Sequence, residues 1–310
     1  FKNGLCVHRQ IFIVLIPSML VHITKYGVWK MSNIVSMSNH LIRAGFSLTE
    51  WEMRIVSAAA AQIRMGQAIT SDDWFTLSAD TAIDLFDVDR KNVYRRLKEV
   101  ADRLYDRSIS YKYSPDGRPH VEREGRYRWV QQVEYRKGEA EIAIKFSSSV
   151  IPYLIELEGQ FTQYSISDMG KISSPHGQRL LQLLMQFRST GYMTMSIEEM
   201  RFSMNVTDAH AQTRQFTSRV IKVAATAIQK ALPHIGLLWK TTKRGHTVTG
   251  YAFKFTQSRA RDPLTVDFIE GKSDSEQKQI APKIESPEQE RRRKKQEVRD
   301  NIMDINDTNW

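Results

Sequence analysis

Residues 211–256 read AQTRQFTSRVIKVAATAIQKALPHIGLLWKTTKRGHTVTGYAFKFT. Phe216, Val220, Val223, Ala224, Ala227 and Ala231 recur at helical spacing, which predicts one long helix from about Ala211 to Leu232. Pro233 has no amide proton to continue the ladder and ends it. Ile235 to Lys243 and Thr247 to Thr256 then read as two strands around a tight Arg244-Gly245-His246 turn. Upstream, a helix is expected from about Ser174 to Phe187, then a short strand over Tyr192 to Met195. Ser196-Ile197-Glu198-Glu199 is a capping box: the serine oxygen takes an amide of the first turn and Glu199 reaches back. It opens a short helix to about Met204.

The same order occurs once before. Thr49-Glu50-Trp51-Glu52 is another capping box, and Trp51, Ile55, Val56, Ala59 and Ile63 lie along one helical face. A short helix follows over Ser78 to Phe86, and Asp89 caps a longer one over Arg90 to Asp106. Then come a strand over Ile109 to Tyr113, a Ser114-Pro115-Asp116-Gly117 turn, a strand from Arg126 to Tyr135 and another over Glu139 to Phe146. Helix, short helix, longer helix and hairpin is the winged-helix arrangement, whose third helix enters the major groove of DNA. The fold expected is therefore α+β, with two tandem winged-helix domains over 36–146 and 147–256. An unrelated α+β protein is the alternative, because helices followed by a hairpin are common.

Charge separates the two halves. The chain of 310 residues carries 45 basic and 35 acidic side chains, a formal +10. Residues 31–134 are neutral on balance, whereas 135–256 hold 15 bases and 8 acids. Within 207–256 eight bases face the single acid Asp208. Such local excess is an electrostatic footprint for a polyanion, and nucleic acid is the first partner to consider. A merely basic soluble face is the blander reading.

Other classes are excluded or disfavoured. One cysteine, Cys6, leaves no disulfide framework and no cysteine-rich zinc site. No run of 18 apolar residues exists, so no membrane helix and a cytoplasmic location are expected. No two of the eight histidines lie within two residues of each other, so the paired-histidine metal site of a rolling-circle nickase is missing. No glycine-rich loop ending in Gly-Lys-Ser/Thr is present either. No enzymatic activity, cofactor or metal is expected.

The ends differ from the middle. Residues 1–35 are set apart as a leader, of which 1–30 are expected to be upstream read-through or a mis-called start, with Met31 opening the polar run Met-Ser-Asn-Ile-Val. From about Gln257 aromatics nearly vanish, and 257–310 reads as a charged flexible tail with a helix over Ser286 to Asn301. Its run Arg291-Arg292-Arg293-Lys294-Lys295 suits either phosphate contact or a solvated cluster flanked by Glu288, Glu290 and Glu297.

Several separated segments resemble a known family in order. They are Met37-Ser38-Asn39-His40-Leu41-Ile42-Arg43-Ala44, Leu48-Thr49-Glu50-Trp51-Glu52-Met53-Arg54-Ile55, Phe161-Thr162-Gln163-Tyr164, Gly177-Gln178-Arg179-Leu180-Leu181-Gln182-Leu183-Leu184, and Phe216 to Lys222. Together they resemble the iteron-binding initiators of theta-replicating plasmids over about 36–256. The resemblance implies two winged-helix domains, with monomers bound to direct repeats in the double-stranded plasmid origin. It also implies melting of an adjacent AT-rich region and recruitment of the host chromosomal initiator and the replicative helicase. A homodimer, paired through the first domain, would repress the initiator's own gene. A two-domain winged-helix transcriptional repressor is the rival, and a membrane- or partner-binding scaffold stands further off.

The candidate DNA-binding residues follow from the helix. Arg214, Thr217, Ser218, Arg219 and Lys222 occupy the N-terminal part of the long helix, the part that meets base edges. Arg214 or Arg219 is suited to a bidentate contact with guanine, and Arg219 is the leading candidate. Thr217 and Ser218 suit bases or phosphates. Lys240, Lys243, Arg244 and His246 lie on the second wing and are expected at the backbone. On the earlier third helix, Arg90, Lys91, Arg95 and Arg96 alternate with acids, so weaker phosphate contacts or internal pairs such as Glu99–Arg95 are expected.

Overall fold

The computed structural model describes residues 21–24, 27–30, 32–64, 67–113, 122–155, 160–206 and 212–256. The expected turn at 114–117 and the charged tail at 257–310 lie outside the described residues. Within the stretch read as a leader, β1 (Val21–Thr24) and β2 (Gly27–Lys30) pair antiparallel.

The first winged helix is built on β3 (Ile34–Ser38), α1 (Asn39–Arg43), β4 (Gly45–Phe46) and α2 (Glu50–Ala60). β5 (Phe75–Ser78), α3 (Ala79–Phe86) and α4 (Arg90–Leu104) follow. The Thr49–Glu52 capping box forms as the sequence predicts. Glu52 is fully buried and also takes both Arg107 Nε and Nη2, at 2.8 and 2.9 Å. One carboxylate thus fixes both the start of α2 and the chain that leaves α4. Asp89 caps α4 by accepting the Lys91 amide at 2.9 Å.

Four strands complete this half: β6 (Ser108–Tyr113), β7 (Arg123–Arg128), β8 (Val130–Arg136) and β9 (Glu141–Phe146). The single strand expected over Arg126 to Tyr135 is broken at Trp129. β7 pairs with β6, whereas β8 pairs with β9, so the chain changes sheets there. Trp129 leaves the ladder to bury its ring, 1% exposed, edge-on against Phe46 at 4.9 Å. Its amide donates to the Arg107 carbonyl, and its carbonyl accepts from the Ser147 amide.

α5 (Pro152–Ile155), β10 (Phe161–Ser165), α6 (Ile166–Lys171) and α7 (Pro175–Met185) come next. β10 returns to pair antiparallel with β3, from Phe161 opposite Ser38 to Ser165 opposite Ile34. The second winged helix adds β11 (Tyr192–Ser196), α8 (Ile197–Ser203), α9 (Thr213–Phe216) and α10 (Lys222–Ala231). β12 (Leu238–Arg244) and β13 (Thr247–Lys254) form its wing in a sheet of order β11-β13-β12. No helix among the described residues is long and apolar enough to cross a membrane.

A buried polar joint ties the halves together. Arg179 on α7 is 3% exposed. It donates to the Ser203 carbonyl at 2.9 Å, the Ala44 carbonyl at 2.6 Å and Gln182 Oε1 at 3.0 Å. Its guanidinium lies 3.8 Å from the centre of the Phe46 ring. Burial pushes its pKa below the ordinary arginine range. Gln182 continues the network by donating to Tyr164 Oη at 2.9 Å, which in turn bonds Ser57 at 3.1 Å. A buried cation is tolerated only when its donors are satisfied, and here they are satisfied by carbonyls from both winged helices.

Candidate nucleic-acid interface

α9, the turn Thr217–Ile221 and α10 run on as one helical rod, but the turn between is a π-turn rather than α. The Lys222 amide reaches back to the Thr217 carbonyl, five residues away. The long helix expected from the sequence is therefore present with one wide turn inside it. Phe216, Val220, Ile221, Ala224, Ala225 and Ile228 are buried and hold the rod on the core. Each large apolar side chain among them stabilises by about 1.5–3 kcal/mol. Gly177 lets α7 come close: a Cβ there would meet Ala227 Cβ at 3.1 Å. Pro233 closes the rod, as expected, with a short 3-10 turn over Pro233–Ile235.

The opposite face of the rod and the wing enclose a groove of about 550 Å³. Thr213, Arg214, Thr217, Ser218 and Lys222 line it from the helix. Trp239, Thr241, Lys243, Thr247 and Val248 line it from the wing. Trp239, Thr241 and Lys243 share the period-2 face of β12, and a bulge between Thr242 and Lys243 adjusts the strand there. Arg214, Ser218, Lys222 and Lys243 are exposed. Arg214, Lys222 and Lys243 line the groove and form no ion pair with any described residue.

Of the residues singled out in sequence, Arg214, Thr217, Ser218, Lys222 and Lys243 meet at this groove. Arg219 is exposed but does not line it. Lys240 falls on the other parity of β12. Arg244 ends β12, and the turn is Gly245-His246 with Gly245 at φ +61°, so Arg244 and His246 mark the exposed tip. Two hydroxyls are already engaged. Thr217 donates to the Thr213 carbonyl at 2.8 Å, and Ser218 donates to the Gln215 carbonyl at 3.2 Å. The sequence reading did not include Thr213, Trp239, Thr241, Thr247 or Val248. The alternation Trp239, Thr241, Lys243 was the signal that could have found the wing members.

On α4 of the first winged helix, three arginines are spent on internal ion pairs. Arg95 and Arg96 both grip Glu99, at 2.6 and 3.1 Å. The arginines hold the Glu99 carboxyl below its ordinary range, chiefly through the Arg95 hydrogen bond. Arg90 pairs with Asp80 of α3. Lys91 is exposed on the first turn of α4.

Comparison with known proteins places this architecture. Residues 34–185 match the family model "Initiator Replication protein, WH1", and residues 196–255 match "Initiator Rep protein, WH2". An uncharacterised 27.6 kDa protein of Escherichia coli is 26% identical over 172 residues, covering 51% of this chain and 68% of that protein. The crystal structure of Pi initiator protein in complex with iteron DNA superposes with a TM-score of 0.59 at 18% identity. That match covers 73% of this chain and 98% of Pi, and it shows a shared fold. Two winged helices in this order, each matched by its own family model, mean that the chain belongs to the initiator replication protein family.

Proposed function

We propose that this protein initiates plasmid replication by binding direct repeats in double-stranded origin DNA through the second winged helix. The observation that carries this reading is the groove between the α9–α10 rod and the wing. It holds three cations with no ion pair among the described residues, Arg214, Lys222 and Lys243, beside threonines and Trp239. Cations positioned on a helix and on its wing can clamp phosphates on both sides of a major groove. The repeat-binding assignment is supported by family membership and by the iteron complex of Pi, which shares the fold. Arg214 is the residue best placed for a base edge, with Lys222 and Lys243 on phosphates. The protein acts by binding and not by catalysis.

Melting of an AT-rich region, recruitment of the host initiator and helicase, and autorepression as a homodimer belong to the same proposal. Footprinting on tiled fragments flanking the gene, at several salt concentrations, tests it. A ladder of protected direct repeats beside an AT-rich stretch is the expected result. Protection confined to one inverted repeat at the promoter would make the protein a repressor instead.

A further inference from the structure

The π-turn sets how closely the cations of the rod line up. An α-helix advances about 100° per residue, so Arg214 and Lys222 on an unbroken helix would stand about 80° apart. One extra residue in a wide turn brings them to within about 20°. Both do line the same groove, and Arg219 does not.

A hydroxyl pair holds that turn. Thr217 has one proton, and it goes to the Thr213 carbonyl at 2.8 Å. The 2.8 Å contact between Thr217 Oγ1 and Tyr251 Oη therefore has the tyrosine as donor. Back-bonding of a threonine to the carbonyl four residues earlier loads that carbonyl and loosens the α ladder. The Thr213 carbonyl also accepts the Thr217 amide. Tyr251 is fully buried on β13, its ring 6.1 Å from Phe216, which itself sits under the Arg201 guanidinium at 4.5 Å. The wing's central strand thereby reaches the recognition helix at the residue where the wide turn begins.

We propose that Thr217 and Tyr251 are positioning residues for sequence recognition: their hydroxyl contact fixes the π-turn and so sets Lys222 in line with Arg214 across the groove. This rests on the DNA-binding reading above. It assigns Thr217 a role in shaping the helix in place of a direct contact with bases.

The test uses the full chain and a duplex carrying one origin repeat, with each base pair substituted in turn and a random duplex of equal length as reference. Tyr251→Phe and Thr217→Val should each lower the preference for the repeat over random DNA about tenfold, the scale of one base contact, because a Lys222 phosphate anchor out of line with Arg214 no longer holds Arg214 in register with its base edge. Binding to random DNA should stay within about twofold, because the charges remain. Thr217→Ser keeps the hydroxyl and should restore the preference. Lys222→Ala should cost much less on the Tyr251→Phe background than alone. Unchanged base-pair profiles in Tyr251→Phe, with equal Lys222→Ala losses on both backgrounds, would overturn the inference. A wild-type protein with no preference for any fragment would instead sink the DNA-reading proposal, and this inference with it.

Discussion

The third helices of the two winged helices both carry several cations and treat them in opposite ways. On α4, Arg95 and Arg96 are held by Glu99, and Arg90 by Asp80. On the α9–α10 rod, Arg214, Arg219 and Lys222 form no ion pair among the described residues, and residues 212–256 contain no acid. Charge available to a ligand is thus set by the acids within reach of each base, on its own helix or on a neighbour, rather than by the count of bases. An exposed ion pair is worth little to stability, but it neutralises the cation for any third party. The rod is therefore electrostatically open and the Arg90, Arg95 and Arg96 cluster of α4 closed, while Lys91, Lys98 and Arg103 of α4 are exposed with no ion pair among the described residues.

The largest effect is expected at the joint between them. Arg179→Met would leave the Ala44 and Ser203 carbonyls without their buried donor, and should cost about 3 kcal/mol of stability in urea unfolding. A loss below about 1 kcal/mol would mean that the halves hold together without it. Next comes the open helix. Arg214→Ala should cost about 1–3 kcal/mol on the repeat and relax preference at one base pair. Arg219→Ala should cost less, and the reverse order would move the interface off the groove. Lys243→Ala should weaken all sequences alike and lower the salt slope by about one. An unchanged slope would take the wing out of contact. The smallest effect is a gain: Glu99→Gln releases Arg95 and Arg96, and should tighten binding to random DNA by about twofold to fivefold at low salt. No gain would show that α4 faces away from DNA whatever its charge.

Local signals were legible in the sequence, and contacts between distant residues were not. The capping boxes at Thr49 and Ser196 each involve residues three apart, and both form. Asp89 and Pro233 mark a helix start and a helix end for reasons carried by single side chains. The pairing of β3 with β10 joins Ser36 to Gln163, and neither strand announces its partner. The break at Trp129 depends on Phe46 being there to receive the ring, and within residues 126–135 its one local sign is a lapse in alternation, Trp129 beside Val130 and Gln131 beside Gln132. The site divides in the same way. The excess of bases over 207–256 pointed to the second winged helix. How closely Arg214 and Lys222 line up depends on the π-turn, whose first residue, Thr217, contacts Tyr251 on another strand. Arg219, the leading candidate in the sequence, is exposed but does not line the groove, whereas Arg214 and Lys222 do.

The most direct test sets the open helix against the closed one in a single titration. Binding of the full chain to an origin repeat would be followed from low to physiological salt for three proteins. These are the wild type, a variant with Arg214, Lys222 and Lys243 all changed to Ala, and a variant with Arg90, Arg95 and Arg96 all changed to Ala. The groove variant should lose specific binding, with its salt slope reduced by about three. The α4 variant should stay within about threefold of wild type, since its charges are already paired. Loss of binding in the α4 variant, with the groove variant intact, would contradict the account.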